Sequence, residues 1–346
     1  EGNILALRPD ITPSVARAAA TLFESEDLPI RLCYAGNTFI NHSSYQGRLK
    51  ENTQLGAELI GLDTIEADAE LIAMVVDGLK KVGLTEFQVN IGHVDFIQSL
   101  MNAADLNEEE TKEIRELITN RNYFGVDELL DSRKVKETVK EAFHILPELT
   151  GGEEVLEKAL LAAPDLTARL AVTRLQHIYH LLKLYGAEEH VTFDLSMIGS
   201  YGYYTGIIFR AYTYGTGDAV VRGGRYDHLL EKFGKSTPSI GFAIILDELM
   251  SALSRQRISV DTIHQNLIVY TEATEEEAIS LACSFRNKGR CIELLKREIE
   301  EEREPYEEYA KRAGISAMLF LRDDQKIEMV NIQTGEVKTA DLKNLN

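Results

Sequence analysis

Between positions 200 and 249 the chain carries three apolar runs with strand composition, TGIIFRAYTY (205–214), DAVVRG (218–223) and SIGFAII (239–245), with a helix expected at 246–254. Upstream, RLCYAGNTFI (31–40) and NTQLGAELIG (52–61) flank the polar stretch NHSSYQGRLKE. Apolar strands rich in β-branched and aromatic residues, joined by polar or glycine-containing connections, pair as hairpins. The chain is therefore expected to build an antiparallel α+β sheet with helices to one side. It has no GxxxxGK[ST] loop and no strand-borne GxGxxG, which disfavours the nucleotide-binding folds built on those motifs.

The remaining elements fit around this sheet. A helix is expected over 13–24, with Thr12 as its N-cap and Pro13 at the first helical position. Helical periodicity continues over 65–81 and 169–182, and strands are expected at 87–93 and 191–198. From 96 to 169 the pattern becomes helix after helix, rich in Glu, Lys and Leu, and reads as a helical insertion between two parts of one core, 1–95 and 170–255. Alternating strand and helix patterns over 262–346 indicate a small separate α/β domain. The chain begins at Glu1 rather than a start methionine, and LALRPDITPSVARAAATL (5–22) already reads as strand, turn and helix, so a preceding segment is expected to be missing.

The 346 residues carry 37 Lys+Arg against 56 Asp+Glu, a formal charge of −19, and the terminal domain is itself acidic. Such a surface repels phosphate backbones, and no basic stripe offsets it, so no nucleic-acid partner is expected. No apolar run reaches the roughly 20 residues of a membrane span. Cys33, Cys283 and Cys291 lack metal-ligand spacing and read as buried reduced thiols, as suits a cytoplasmic protein. His177 and His180 have helical metal-site spacing but no obvious carboxylate or cysteine partner, so no metal is expected. His93 reads as a helix cap. The acidic run EIEEEREPYEEY reads as a solvated helix face.

LRPDIT, the YxGxxF strand (34–39), QLGAE, YYTG, GGRYD and SIGFAIILDEL occur in the order seen in the catalytic core of histidyl-tRNA synthetases, which the chain resembles over 1–95 and 170–255. It is more similar to the synthetase-like regulatory subunits of ATP phosphoribosyltransferase, through ALRPDIT, RLCYAGNTF, QLGAELIG, DAELIAMVVDGLKKVGL and SYGYYTGIIF. The resemblance implies a class II synthetase fold, which usually pairs as a homodimer. It also implies a histidine pocket. Asp10 and Glu58 would face the ammonium group, Thr12 and Gln54 would add hydrogen bonds, and Tyr203 and Tyr204 would close on the imidazole. Arg225 matches the arginine of GGRYD. Gln54 and Glu58, four apart, would share a strand face. Asp10 and Thr12 could instead cap the following helix, and Tyr203 could be core.

The departures from the synthetase pattern concern adenylation, which needs cations around the phosphates as charge moves onto their oxygens. Ile40, Gly199 and Glu248 stand where that pattern has arginines. Losing one such donor commonly costs about 10²–10³ in rate. In the loop, Asn41, His42, Ser43, Ser44 and Tyr45 replace the residues that serve adenine and the tRNA end, although Arg48 and Lys50 remain. The resemblance thus implies a non-catalytic regulatory subunit without a cofactor. It would associate as a homodimer, inside a hetero-oligomer, with the short-form catalytic subunit of ATP phosphoribosyltransferase, and L-histidine would inhibit through it. An active histidyl-tRNA synthetase and a free-standing histidine sensor are the alternatives.

Overall fold

The computed structural model describes residues 5–23, 28–41, 49–199, 202–260, 265–298 and 302–342. The two long strands of the expected hairpin, β1 (Ile30–Phe39) and β2 (Glu51–Ile60), pair antiparallel from Ile30↔Ile60 to Phe39↔Glu51. Before them lies α1 (Thr12–Thr21). After them come α2 (Ile65–Lys81), β3 (Phe87–His93) and the helices α3 (Val94–Ala103), α4 (Glu108–Thr119), α5 (Tyr123–Ser132) and α6 (Glu137–His144). The two-residue strand β4 (Thr150–Gly151) precedes α7 (Glu154–Ala162), α8 (Leu166–Leu184) and β5 (Val191–Asp194). The glycine-punctuated region forms β6 (Ile207–Thr213), β7 (Val221–Arg225) and β8 (Ser239–Ile245), then α9 (Leu246–Gln256).

These strands make an eight-stranded sheet in the order β1-β2-β8-β7-β6-β3-β5-β4. Every pairing is antiparallel except β3 with β5. That exception follows from the connection, because a whole set of helices separates the two strands and lets β5 return alongside β3 in the same direction.

The sheet has two unlike faces. Helix α2 is capped by the Thr64 hydroxyl, which accepts from the Ala67 amide at 3.2 Å, and it carries Glu66 and Asp68 in its first turn and Lys80 and Lys81 in its last. Charges placed this way complement the helix dipole. Its buried stripe (Leu71, Ile72, Val75, Val76, Leu79) shares one continuous apolar core with Leu59, Val89, Ile91 and Phe209 of the strands. Ile114, Val126, Leu130, Phe143 and Leu156 of the 96–169 segment belong to that same core. The segment is thus packed into the helical layer, and β4 within it adds the last strand of the sheet. Two residues are too few to leave a period in the sequence. On the opposite face, α1 covers one end of the sheet, with Ala16 and Ala19 packing among Ile30, Ile60, Tyr226 and Leu230.

The chain divides into the units Glu1–Ser259 and Val260–Asn346. In the second, β9 (Gln265–Tyr270), β10 (Cys291–Lys296) and β11 (Ala317–Leu321) are parallel, and β12 (Lys326–Asn331) and β13 (Val337–Asp341) continue the sheet antiparallel in the order β10-β9-β11-β12-β13. Helices α10 (Glu275–Asn287) and α11 (Glu304–Arg312) complete it. Part of the acidic run, 299–301, lies outside the described residues.

Two expectations are corrected. Thr12 is not the N-cap of α1. Ile11 holds that position without a side-chain bond, and Asp10 Oδ1 accepts from the Thr12 amide at 3.1 Å. All three cysteines are exposed rather than buried. Cys33 lies on the exposed side of edge strand β1, where alternate residues face outward. His93 does cap α3, its Nδ1 accepting from the Asp95 amide at 3.3 Å. Burial, with Arg174 and Arg225 nearby, lowers its pKa to about 3, which keeps the ring neutral and free to accept. No helix among the described residues is long and apolar enough to cross a membrane.

Candidate functional site: an acidic cleft on the open face of the sheet

Strand parity builds the site. On β2, Gln54, Gly56 and Glu58 point to the face away from α2, and the register sets Gln54 against Ile245, Gly56 against Ala243 and Glu58 against Gly241 of β8. Gly241 and Ala243 in turn sit against Gly224 and Arg222 of β7. Successive side chains on a strand alternate faces, so these residues form one surface across three adjacent strands. That surface floors a cleft of about 270 Å³, whose lining also includes Asp10, Thr12, Tyr203, Tyr204, Tyr226 and Glu248. The volume lies near the lower end of small-molecule sites, about 300–1,000 Å³, and suits one small ligand.

Among the charged residues that line the cleft, Glu58 is the most buried, 2% exposed. The Thr12 hydroxyl donates to its Oε1 at 2.9 Å and the Tyr226 hydroxyl donates to its Oε2 at 2.6 Å. Burial raises its pKa to about 8, despite the two hydroxyls that favour the anion. Glycine at 241 lets this carboxylate lie flat on β8, because a Cβ there would overlap Glu58 Oε2 and approach the Ala57 carbonyl to 2.8 Å. Gly224 does the same for the Tyr204 ring, whose Cε1 would lie 2.7 Å from an added Cβ.

Asp10 both caps and lines. While Oδ1 accepts from the Thr12 amide, Oδ2 accepts from the Tyr203 hydroxyl at 2.6 Å. Tyr203 stacks at a tilt on Tyr204, ring centroids 5.1 Å apart, and meets Tyr226 edge-on at 6.0 Å. Gln54 is buried, and its Oε1 has no hydrogen-bond partner among the described residues. A buried amide oxygen without a donor is costly.

Six of the seven sequence-derived positions, Asp10, Thr12, Gln54, Glu58, Tyr203 and Tyr204, line this cleft. Arg225 does not. It has the opposite parity to Arg222 and Gly224, so its side chain enters the helical layer, where Nε and Nη2 donate to Asp68 Oδ1 of α2 at 2.9 and 2.5 Å. Nη1 donates to the Leu62 carbonyl and to Asp227, and Asp68 also receives Arg174 of α8 at 2.7 Å. Arg225 fastens β7 to the helices. The sequence reading missed Tyr226, Arg222 and Asp218. Counting by twos from Gly224 would have found the first two.

Ile40 and Glu248 line the cleft, whereas Gly199 lines a smaller adjacent notch. Lys50 is exposed and does not line the cleft. His42, Ser43, Ser44, Tyr45 and Arg48 lie outside the described residues, as does Ser200. Among the described lining residues, Asp10, Glu58, Asp218 and Glu248 face one cation, Arg222, which pairs with Asp218 at 2.7 Å. The cleft favours a ligand with an ammonium group over a polyphosphate. No group of three or more potential metal ligands occurs among the described residues, and His177 and His180 are both exposed.

The family model for histidyl-tRNA synthetase matches residues 1–249. The ATP phosphoribosyltransferase regulatory subunit of Acetivibrio thermocellus is 38% identical over all of this chain and 82% of its own length. That of Geobacter sulfurreducens is 32% identical over 97% of this chain and 77% of its own. Among solved structures, a Bacillus halodurans ATP phosphoribosyltransferase regulatory subunit/histidyl-tRNA synthetase superposes with a TM-score of 0.73 at 31% identity, covering 90% of this chain and 79% of that one. The Nostoc histidyl-tRNA synthetase shares the fold, with a TM-score of 0.80 at 18% identity over 100% of this chain and 85% of that one. Sequence and fold together place the chain in the histidyl-tRNA synthetase family, and within it the chain belongs to the ATP phosphoribosyltransferase regulatory subunits.

Proposed function

We propose that this chain is a non-catalytic subunit that binds L-histidine in the cleft and transmits its presence to a short-form catalytic ATP phosphoribosyltransferase subunit as feedback inhibition. The observation that carries this reading is the composition of the cleft. Asp10, Thr12, Gln54 and Glu58 converge as hydrogen-bonding and acidic groups beside the Tyr203–Tyr204 pair, and Ile40 and Glu248, which stand where the synthetase resemblance implies arginines, bring no positive charge to the wall. A zwitterion with an aromatic side chain matches carboxylates for its amine and ring faces for its imidazole. The names of the relatives supply the partner, a catalytic subunit of the same enzyme. For histidine to inhibit through this chain, it must bind the less active arrangement of the complex more tightly than the active one. The working unit is proposed to be a cytoplasmic homodimer within a hetero-oligomer, acting without nucleic acid.

Three measurements on the purified chain test this. Calorimetry is expected to show saturable L-histidine binding that Glu58→Ala removes. ATP–pyrophosphate exchange is expected to stay at background with and without histidine. Phosphoribosyl transfer is expected only after the catalytic subunit is added, and histidine should then suppress it. Histidine-dependent exchange would instead establish an active synthetase, and binding without any effect on the catalytic subunit would establish a free-standing sensor.

A further inference from the structure

We propose that Arg222, on β7, is the carboxylate anchor of the cleft. The proposal deepens the amino-acid reading above and rests on it. Arg222 is the one Lys or Arg among the described residues that line the cleft. It points there because it shares parity with Gly224, and the register places it opposite Ala243, which pairs with Gly56 between Gln54 and Glu58. Neighbouring strands lie about 4.8 Å apart, so the base of Arg222 stands roughly 9–10 Å across the floor from the Gln54–Glu58 row. The extended arginine side chain and the backbone of one amino acid fill such a span, with the ammonium group toward β2 and the carboxylate toward β7.

Arg222 also borders the notch of about 10 Å³ lined by Gly199, Tyr204 and Arg210. Asp218 engages Arg222 through Nη2 at 2.7 Å, but the Arg222 Nε is buried and has no hydrogen-bond partner among the described residues. A guanidinium presents five donors in a rigid fork, and one carboxylate does not exhaust them. A ligand carboxylate on the floor can take up guanidinium donors that Asp218 leaves over.

Calorimetry with two ligands tests the assignment. L-Histidine has a carboxylate, whereas L-histidinol carries a hydroxymethyl group in its place and is otherwise the same molecule. The wild-type chain is expected to bind histidine about 10- to 100-fold more tightly than histidinol, the range of a charge-assisted hydrogen bond. In Arg222→Met that preference should collapse to within about threefold through loss of histidine affinity alone, because histidinol never used the guanidinium. In Asp218→Asn the preference should widen, because Arg222 is released from its neighbour. Matched thermal melts of the three proteins show that each is folded. A preference that survives unchanged in both variants overturns Arg222 as the anchor while leaving the amino-acid reading intact. If the wild-type chain binds neither ligand, the amino-acid reading fails and the anchor with it.

Discussion

Gly241→Ala is expected to abolish L-histidine binding, weakening it at least about 100-fold, through a single methyl group that touches no ligand. An added Cβ would overlap Glu58 Oε2, sit 2.5 Å from Glu58 Cδ and press on the Ala57 carbonyl. The carboxylate cannot remain where Thr12 and Tyr226 hold it. If it swings away, two buried hydroxyls lose their acceptor, each at about 1–3 kcal/mol. If β8 backs off instead, it loses register with β2 and with Gly224 of β7. Either way the floor is remade where the ammonium group would lie, and two such losses, about 2–6 kcal/mol together, span the roughly 2.8 kcal/mol that a hundredfold change represents. Gly78→Ala is the control. It lies in α2 with no atom within 4 Å of the added methyl, so it should bind normally and match or exceed wild-type stability by up to about 1 kcal/mol. Calorimetry on both variants decides the matter, and wild-type affinity in Gly241→Ala would mean that Glu58 does not form the site.

Much of this architecture was legible because period and punctuation agreed. The stripe of 65–81 and the alternation of 87–93 and 239–245 place α2, β3 and β8 at their observed ends. The four-residue spacing of Gln54 and Glu58 likewise predicts a shared face, and both line the cleft. What failed depended on partners distant in sequence. The arginine of GGRYD reads as a binding group until β7 is placed in the sheet, when parity turns Arg225 toward Asp68, 157 residues away in sequence, and turns Arg222 toward the cleft. Thr12 has the composition of an N-cap, yet its hydroxyl is taken by Glu58, 46 residues on. Local preference offered a weak capping bond, whereas a buried carboxyl group left without that hydroxyl would have been costly. The cysteines were misread for a similar reason, because a residue type's average burial says nothing about which face of an edge strand it occupies.

Glu58→Gln is expected to make the protein more stable at alkaline pH and unable to hold histidine. The carboxyl group has a pKa near the ordinary value of 4.5 in the unfolded chain and about 8 in the fold, because burial penalises the anion. Between those values the native state keeps a proton that the unfolded state has released, so the Glu58 contribution to stability falls as pH rises from about 4.5 to about 8 and is constant above. Glutamine is neutral throughout and can still meet the Thr12 and Tyr226 hydroxyls. The variant should therefore melt above wild type at pH 8.5, by roughly 2–4 °C for each kcal/mol relieved, and the two melting curves should converge toward pH 5. Histidine reverses the preference. A bound ammonium group stabilises the carboxylate and lowers its pKa, so binding at pH 7 should expel a proton from Glu58, and affinity should climb by up to about tenfold per pH unit until about pH 8. Calorimetry at pH 7 in buffers of different ionisation enthalpy measures that proton directly. Buffer-independent binding, or a melting difference that does not change with pH, would show that Glu58 is already ionised in the empty cleft. A cleft that burdens its own carboxyl group in this way would be stabilised by a bound cation, and ligand occupancy would then be felt through the fold.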